Sequence, residues 1–432
     1  MTTSSASSVS KVEFRPHRLS DQALAVLAPL VERLDDDWAV VRRAAFDALK
    51  TRGFPSRKEE DWQYTPLDAL LAEDWVLPQD GEADVNAFRP PFDHVLIAFV
   101  DGRCVTDPQD LSVKGLHVRP LLAQADAALR DRWRLQARPE ADPFQLLNLA
   151  LMRDGMAIEV SGQVAETVVL LHVHTQPGVT AVRHRVTLKA HAQLTLVELH
   201  VSVGEAAGLV NPVIETELGE GAVLRHVKLQ QLAGQAFHMG WHAVRQQGGS
   251  QLLSDTVQLG GRVSRHMTHT CLLNENAGSE VNSAALVRDQ QVIDSRTFTD
   301  HASAHCFSRQ NHRLVVADSG RGVFDGMIHV ARGAQKTDGL MDNKNLLIGD
   351  RAKVDAKPRL EIYADDVKCS HGSATGQLDR DQLFYLRARG LDADTARRLI
   401  TRAFLAEPLE GITHDALRGW LIGLLDEAVS TL

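Results

Sequence analysis

The sequence predicts a mainly β protein with a parallel β-helix at its centre and helical segments at both ends. Three observations support this prediction. Short β-branched runs alternate with turns from about residue 157 to residue 373, no helical pattern of ten or more residues interrupts them, and small residues recur at a fairly regular step. So long a stretch of strands without helices excludes a doubly wound α/β fold.

The pattern of residues 1–155 predicts an N-terminal, mostly helical domain. An amphipathic helix begins near Ser20, a good N-cap residue, and a second helix ends at Gly53. The segment HVLIAFVDGRCV predicts a short hairpin with Asp101–Gly102 at its turn. Helical pattern returns from residue 119 to about residue 150.

The β-helix core is assigned to residues 156–375. Small residues suit the tight corners of a solenoid, and a step of 20 to 50 residues is typical of one coil per repeat. A sandwich or a propeller is the alternative architecture. The steps between the aligned small residues are 30, 28, 29, 25, 30, 18 and 21, counted on Ala192, Ala222, Ser250, Ser279, Ala304, Ala334, Ala352 and Ser373.

Residues 376–432 predict a C-terminal domain of three helices. The first has Asp379 as its cap, the second begins near Asp392 and is interrupted at Pro408, and the third has Thr413 as a cap candidate. This segment contains seven Arg and no Lys. Because the planar guanidinium makes paired hydrogen bonds, an Arg-rich face is a candidate for partner docking, with a simple solvated face as the alternative.

Composition and charge restrict the class of protein. The 432-residue chain is 44% hydrophobic and 24% charged, and its net charge of −9 argues against a nucleic-acid partner. No apolar run is long enough for a membrane span, and the polar N-terminus does not resemble a secretory signal. A cytoplasmic location, away from membranes, is therefore expected.

Cysteine and histidine patterns do not define a self-contained metal centre. The four cysteines, at 104, 271, 306 and 369, form no CxxC pair. Among 19 histidines, the pairs His172/His174 and His266/His269 are possible metal ligands. Half-buried positions in strands are the preferred interpretation of both pairs, because no nearby carboxylate or cysteine completes a set.

Familiar catalytic motifs do not occur in the sequence. It has no phosphate-binding loop, HExxH motif or nucleophile elbow, so ATP hydrolysis would have to come from a partner. A carbohydrate-active β-helix enzyme is an alternative that needs clustered carboxylates on a groove. The nearest candidates for that role are Asp338, Asp342, Asp365 and Asp366.

The segment DVKCSHGSATGQLD is the strongest candidate site. Cys369 and His371 are two residues apart, so in a strand their side chains would lie on the same face. Half of a metal site, a nucleophile with its base, and two structural residues at the end of a strand all fit this spacing.

Several longer segments resemble the SufB/SufD family. They are SRKEEDWQYTPL, RGVFDGMIHVARGAQKTDG, NKNLLIGDRAKVDAKPRLEIYADDVKCSHGSATGQLD and LFYLRARGL. The similarity covers about residues 50 to 410 and is strongest over 319–406. The chain looks more like the SufD branch, because it lacks the cysteine cluster of the SufB branch and has CSHG where that branch tends to have CEH-x-A.

This resemblance implies a right-handed parallel β-helix in a cytoplasmic SufBCD scaffold complex that builds iron–sulfur clusters. The sulfur would come from a cysteine desulfurase and its shuttle. The chain would be a non-catalytic subunit that pairs with SufB through its β-helix and is associated with iron acquisition, whereas ATPase activity would belong to SufC. An exposed β-helix edge would also allow a homodimer when the chain is isolated, and the sequence does not decide whether one forms. A SufB-like cluster scaffold is the alternative within the family.

The resemblance also implies site residues. His371 matches a family histidine at the interface with SufB that is implicated in nascent cluster formation, and Cys369 matches the cysteine of the same segment. Iron or a nascent iron–sulfur cluster would be held transiently and shared with SufB, not bound stably by this chain alone. The residues expected to help SufC docking are Phe384, Tyr385, Leu386, Arg387 and Arg389.

Overall fold

The computed structural model describes residues 14–123 and 127–432, which fall into two compact units. The first unit contains residues 14–75 and 127–151, and the second contains residues 76–123 and 152–432. The polar N-terminal segment 1–13 lies outside the described residues. No helix of the described ranges is both long and apolar enough to cross a membrane.

The first unit is a small helical bundle. Its core contains Trp38 and Trp133, whose ring centroids are 5.0 Å apart. Phe144 lies between Phe54 and Trp62 at centroid distances of 5.6 and 5.4 Å. Its helices are α1 (Ser20–Glu32), α2 (Ala39–Arg52), α3 (Asp68–Leu71), α4 (Ala127–Gln136) and α5 (Pro143–Leu151).

The ends of these helices partly follow the sequence prediction. Gly53 ends α2 as predicted, with a φ of 70° that favours glycine. Ser20 is the first residue of α1 and not its cap, and its hydroxyl accepts a hydrogen bond from the Phe54 N–H at 2.8 Å. Residues 119 and 120, where a helix was predicted to begin, belong to the strand Leu116–Pro120 of the second unit, and the described part of α4 is Ala127–Gln136.

The second unit is a parallel β-solenoid of about eight turns, which confirms the mainly β prediction. Its strands are β1 (His94–Val100), β2 (Arg103–Cys104), β3 (Leu116–Pro120), β4 (Met156–Val160), β5 (Gln163–His174), β6 (Gly178–Leu188), β7 (Gln193–Ser202), β8 (Gly208–Leu218), β9 (Val223–Gln231), β10 (Phe237–Gln246), β11 (Gln251–Gln258), β12 (Val263–Leu272), β13 (Gly278–Val287), β14 (Val292–His301), β15 (Phe307–Ala317), β16 (Arg321–Val330), β17 (Asp338–Ile348), β18 (Lys353–Ile362) and β19 (Lys368–Gln377).

Successive strands alternate between two sheets. The ten-stranded sheet has the order β19-β17-β15-β13-β11-β9-β7-β5-β1-β2, and the nine-stranded sheet has the order β18-β16-β14-β12-β10-β8-β6-β4-β3. Apart from the antiparallel pairs β1–β2 and β3–β4, neighbouring strands run parallel. One coil therefore contributes one strand to each sheet.

The predicted hairpin is present, but it belongs to the solenoid. Val100 pairs with Arg103 around the Asp101–Gly102 turn, in which both residues have positive φ. Strand β1 also pairs in parallel with β5, with Leu96 opposite Val169. The hairpin therefore starts the ten-stranded sheet, whereas the sequence analysis placed it in the N-terminal domain.

The strand pairing shows which residues occupy equivalent corners of successive coils, and these differ in part from the predicted repeat. The residues just before the odd strands are buried and stack at steps of 30, 28, 27, 29 and 31, on Ala192, Ala222, Ser250, Ala277, Cys306 and Thr337. The sequence identified the first three correctly. The predicted short steps of 18 and 21 are wrong, because Ala352 precedes a strand of the other sheet and Ser373 lies in the middle of β19.

The C-terminal segment packs on the solenoid. It forms α6 (Arg380–Ala388), α7 (Ala393–Ala406) and α8 (Asp415–Ser430), and Asp379 and Asp392 cap the first two as predicted. The cap of α8 is His414, whose Nδ1 accepts a hydrogen bond from the Leu417 N–H at 3.1 Å, and not Thr413. Leucines of α7 and α8 share one buried cluster with the outer face of the ten-stranded sheet.

Both faces of that sheet are therefore buried. On β7, Leu194 and Leu196 belong to the cluster inside the solenoid, whereas Val197 and Leu199 belong to the cluster with the C-terminal helices. Successive residues of a strand point to opposite faces, which explains this division. At the end of the solenoid the burial decreases: β19 is largely exposed, and β18 of the other sheet is half-buried or exposed.

Candidate functional site

Cys369 and His371 lie on β19, the last strand of the ten-stranded sheet. In the parallel pairing with β17, Cys369 is opposite Gly339 and His371 is opposite Met341. β19 ends the strand order of its sheet, as β18 does in the other sheet. The outer edges of these two strands therefore form the open end of the solenoid.

Both side chains lie on the inner face of the last coil. Met341 is fully buried in a cluster with Phe324 and Ile328 of the opposite sheet, so its position in the strand faces inwards. His371 continues this inward column by one coil. No further coil covers it within the described chain, and the imidazole is exposed at the open end.

Cys369 is more sheltered than His371. It packs against the apolar cluster of the last coils, and its Sγ lies 3.3 Å from the point that a Cβ atom on Gly339 would occupy. Burial raises the pKa of the Cys369 thiol, the Asp338 carboxylate raises it further, and a hydrogen bond with the Gly339 backbone opposes both. Because metals bind the thiolate, a metal at Cys369 would have to displace this proton.

Two asparagines hold β19 against the previous coil. Asn343 and Asn345 are buried and donate side-chain hydrogen bonds to each other, at 3.2 and 2.8 Å. The Asn345 side-chain amide also donates to the Thr375 hydroxyl at 3.1 Å, and the Ser373 hydroxyl donates to Oδ1 of Asn343 at 3.2 Å. Ser373 and Thr375 lie on the same inner face of β19 as Cys369 and His371. These hydrogen bonds therefore fix the register of β19 against β17.

The described residues contain no group of three or more His, Cys, Asp and Glu side chains placed to hold a metal ion. The carboxylates considered for a carbohydrate enzyme do not form a catalytic pair. Asp338 binds Arg309 at 2.7 Å, Asp342 binds Arg313 at 2.8 Å, and Asp366 pairs with Lys336. Asp365 is exposed. These ion pairs occupy three of the four carboxylates considered for acid–base catalysis.

The candidate docking residues lie on α6 and at its C-cap, Arg389, and none of them is buried. Phe384 is 74% exposed and Tyr385 is 57% exposed. The guanidinium of Arg389 lies 5.1 Å from the centroid of the Tyr385 ring, while Leu386 is half-buried and Arg387 is exposed. Large apolar side chains with this exposure mark a candidate protein interface.

A partly buried ion-pair network ties the C-terminal segment to the ten-stranded sheet. The Arg313 guanidinium donates to Asp342 at 2.8 Å and, through Nε, to Glu407 at 2.8 Å. Hydrogen bonds from Arg313 hold the pKa of Glu407 below its ordinary value, despite the opposing effect of burial. Glu407 begins the 3₁₀ turn that contains Pro408, so this network fixes the bend between α7 and α8.

A polar network lies inside the solenoid and was not predicted from the sequence. Glu198 is fully buried, and its carboxylate accepts hydrogen bonds from Lys228 at 2.9 Å and from His200 at 2.6 Å, with His226 at 3.4 Å. Burial raises the pKa of Glu198, but the Lys228 ammonium and His200 hold the pKa of this carboxyl well below its ordinary range. The carboxylate therefore stays ionised in the interior.

Further histidines extend this network across the lumen. The ring centroids of His172 and His200 are 4.5 Å apart, and those of His226 and His242 are also 4.5 Å apart. The histidine pairs noted in the sequence, His172/His174 and His266/His269, do not all lie on the same face of the solenoid. His172 stacks inside the solenoid, whereas His269 lies on the outer face of β12, 4.9 Å from the Phe298 ring. His266 faces inwards and is buried.

Comparison with known proteins decides the family. The family model described as the SufBD core domain of the SUF iron–sulfur cluster assembly system matches residues 172–404. The model of the SufBD protein N-terminal region matches residues 35–169. The chain belongs to the SufBD family.

Curated relatives agree with this assignment. The iron–sulfur cluster assembly protein SufD of Escherichia coli K12 is 36% identical over 86% of this chain and 88% of its own length. A SufBD family protein of Synechocystis is 29% identical over 88% of each chain. The chloroplastic protein ABCI7 of Arabidopsis thaliana is 39% identical over 48% of this chain and 44% of its own length. The chain is thus a SufD-like member of the family, as the sequence analysis predicted.

Proposed function

We propose that this chain is a non-catalytic, cytoplasmic scaffold subunit of a SufBCD-type complex, and that it pairs with a SufB-type subunit through the open end of its solenoid. The open end is the observation that carries this proposal. Strands β18 and β19 end their two sheets there. The residues of β19 are largely exposed, and those of β18 are half-buried or exposed. An exposed strand edge offers a row of backbone groups that a second solenoid with the same coil spacing would complete.

The site at this end would handle a nascent cluster as cargo. Cys369 and His371 would supply a thiolate and an imidazole, both of which bind iron, from the inner face of the last coil. A cysteine and a carboxylate from the SufB-type partner would complete the ligand set across the interface. The raised pKa of Cys369 means that iron binding there would release a proton, so loading would be favoured by higher pH.

The C-terminal helices would dock a SufC-type ATPase. Phe384 and Tyr385 supply exposed aromatic surface, and Arg389 adds a cation beside Tyr385. The Arg313–Glu407 ion pair connects this segment to β15, so movement of the ATPase would be transmitted to the solenoid. ATP hydrolysis would belong to the partner, and a role in iron acquisition would follow from the ligands at the open end.

The decisive experiment compares His371→Ala with Ser370→Ala in the co-expressed complex with SufB-type and SufC-type partners. Ser370 is exposed on the same strand, but its side chain faces outwards. After anaerobic reconstitution, iron and acid-labile sulfide are measured, and assembly is checked by size exclusion. We expect His371→Ala to lose cluster in an intact complex, whereas Ser370→Ala keeps it.

Two results would contradict the proposal. If His371→Ala and Cys369→Ser both reconstitute like the wild type, the inner face of β19 has no ligand role. If charged substitutions on the outer edge of β19 leave pairing with the SufB-type subunit unchanged, the open end is not the interface.

A further inference from the structure

The helical unit contains an open cleft of about 660 Å³ that is lined by two short neighbouring segments and by Asp68 of α3. Residues 15–18 and 55–58 run side by side, joined by an isolated bridge between Pro16 and Pro55 and by backbone hydrogen bonds. His17 N–H donates to the Phe54 carbonyl at 2.6 Å, and Ser56 N–H donates to the Arg15 carbonyl at 2.9 Å. We call this cavity the basic cleft, lined by Arg15, Pro16, His17, Arg18, Ser56, Arg57, Lys58 and Asp68.

The backbone of the basic cleft is held firmly in place. Gly53 has a φ of 70°, and a Cβ atom there would lie 2.8 Å from the Cβ of Pro16. Only glycine therefore allows the two segments to approach so closely. The neighbouring acid Glu59 is occupied by Arg52, at 2.8 Å, and by the Arg15 N–H, at 3.2 Å.

The charge of the basic cleft runs against that of the whole chain. Arg15, Arg18, Arg57 and Lys58 contribute four positive charges, and Asp68 contributes one negative charge, so the lining has an excess of three positive charges in a chain of net charge −9. All four basic residues are exposed. Like charges concentrated in a concave surface create a local potential that attracts anions.

Asp68 acts as an internal competitor for these cations. Its carboxylate lies 3.2 Å from Arg18 Nη2 and 3.4 Å from His17 Nε2. On the other side, Arg57 Nε donates to the Gln63 carbonyl at 3.0 Å, which orients its guanidinium. The cleft thus already binds one oxyanion, that of Asp68, at its Arg18 side.

We propose that the basic cleft binds a compact polyanion with two adjacent phosphate groups, of the kind found in pyrophosphate and in nucleoside diphosphates. Guanidinium forks and an ammonium on two neighbouring segments suit adjacent phosphates, and the cavity is of the size that small-molecule ligands occupy. Arg57 and Lys58 belong to the SRKEEDWQYTPL signature, which the proposed scaffold role leaves unused. Because the site lies in the helical unit, its failure would not affect that role.

Isothermal titration calorimetry of the full chain tests the proposal with pyrophosphate, ADP and orthophosphate. We expect one saturable site for pyrophosphate, weaker binding of orthophosphate, and ADP affinity at least equal to that of pyrophosphate. The double variant Arg57→Ala/Lys58→Ala should weaken pyrophosphate binding by about tenfold or more, because two charge-assisted contacts are lost. The matched double variant Lys114→Ala/Arg351→Ala removes two exposed charges of the solenoid unit and should bind like the wild type.

The variant Asp68→Asn distinguishes an anion-binding role of the basic cleft from a purely structural one. Removing the competing carboxylate should tighten pyrophosphate binding about threefold, because Arg18 is released to the ligand. Lys58→Ala alone, at an exposed side chain, is the second variant if the double variant fails to fold. The proposal is overturned if the wild type shows no saturable binding, if the control variant loses as much affinity as the cleft variant, or if folded Asp68→Asn binds more weakly.

Discussion

Acidification should destabilise the solenoid because its histidines are buried as neutral groups. Burial lowers the pKa of His174, His184 and His312 from 6.5 to about 3, and that of His301 from 6.5 to about 4. Below pH 6.5 the unfolded chain takes up protons at these positions and the folded chain does not. Their effect on stability is therefore absent above about pH 6.5 and grows as the pH falls below it.

The size of the stability loss follows from the pH interval over which only the unfolded chain is protonated. Between pH 6.5 and pH 5, each of the four histidines lowers the free energy of unfolding by about 2 kcal/mol, or about 8 kcal/mol in total. Asp255 opposes them, because burial raises its pKa from 3.8 to about 7. Its protonation between pH 7 and pH 5 stabilises the fold by about 3 kcal/mol. A net loss of about 5 kcal/mol is comparable with the whole stability of many domains.

Urea denaturation followed by far-UV circular dichroism at several pH values between 7.5 and 5 measures this effect. The free energy of unfolding should fall steeply below pH 6.5 with little change in the denaturant slope. In His312→Gln the decline from pH 7.5 to pH 5 should be smaller by about 2 kcal/mol, because one neutral histidine is removed. The exposed His305→Gln serves as the control. A stability that is constant or rises from pH 7.5 to pH 5 would refute the reasoning.

Three further predictions concern single features. Glu198→Gln leaves the Lys228 ammonium buried without its carboxylate, so it should reduce the free energy of unfolding by about 3–5 kcal/mol in urea at pH 7.5. A loss below about 1 kcal/mol would contradict the buried ion pair. Phe384→Ala/Tyr385→Ala should weaken binding of a SufC-type ATPase by about tenfold or more in a pull-down titration while the urea midpoint stays unchanged; unaltered binding would place the docking surface elsewhere. Gly53→Ala should destabilise the helical unit by about 1–3 kcal/mol in thermal unfolding, because it combines a positive φ with a close contact; an unchanged melting temperature would refute this.

The sequence predicted the solenoid because its coils repeat a physical constraint. A small or compact residue is needed wherever the chain turns tightly into an odd strand, and Ala192, Ala222 and Ser250 show this directly. The later coils were misaligned because Cys306 and Thr337 fill the same buried corner without being the smallest residues nearby. Register is set by pairing between strands, which local composition does not report.

The geometry of the candidate site could be predicted from the sequence better than the polar interior of the solenoid. Spacing alone predicted that Cys369 and His371 share a face, since the strand period is two. Alternation does not say which face is the interior when both are buried, as on β7, where Glu198 and His200 point inwards beside outward Val197 and Leu199. The lumen residues therefore looked like ordinary half-buried strand positions.

The position of the covering helices has a consequence for synthesis of the protein. The outer face of the ten-stranded sheet is covered by α7 and α8, which follow all the strands they cover along the chain. While a ribosome makes the chain, the coils can form first, but this apolar stripe stays open until α8 has emerged. At about 5–20 residues per second, the roughly 50 residues after β19 take several seconds to appear. During that interval the nascent chain exposes to chaperones an apolar surface that is buried in the complete protein.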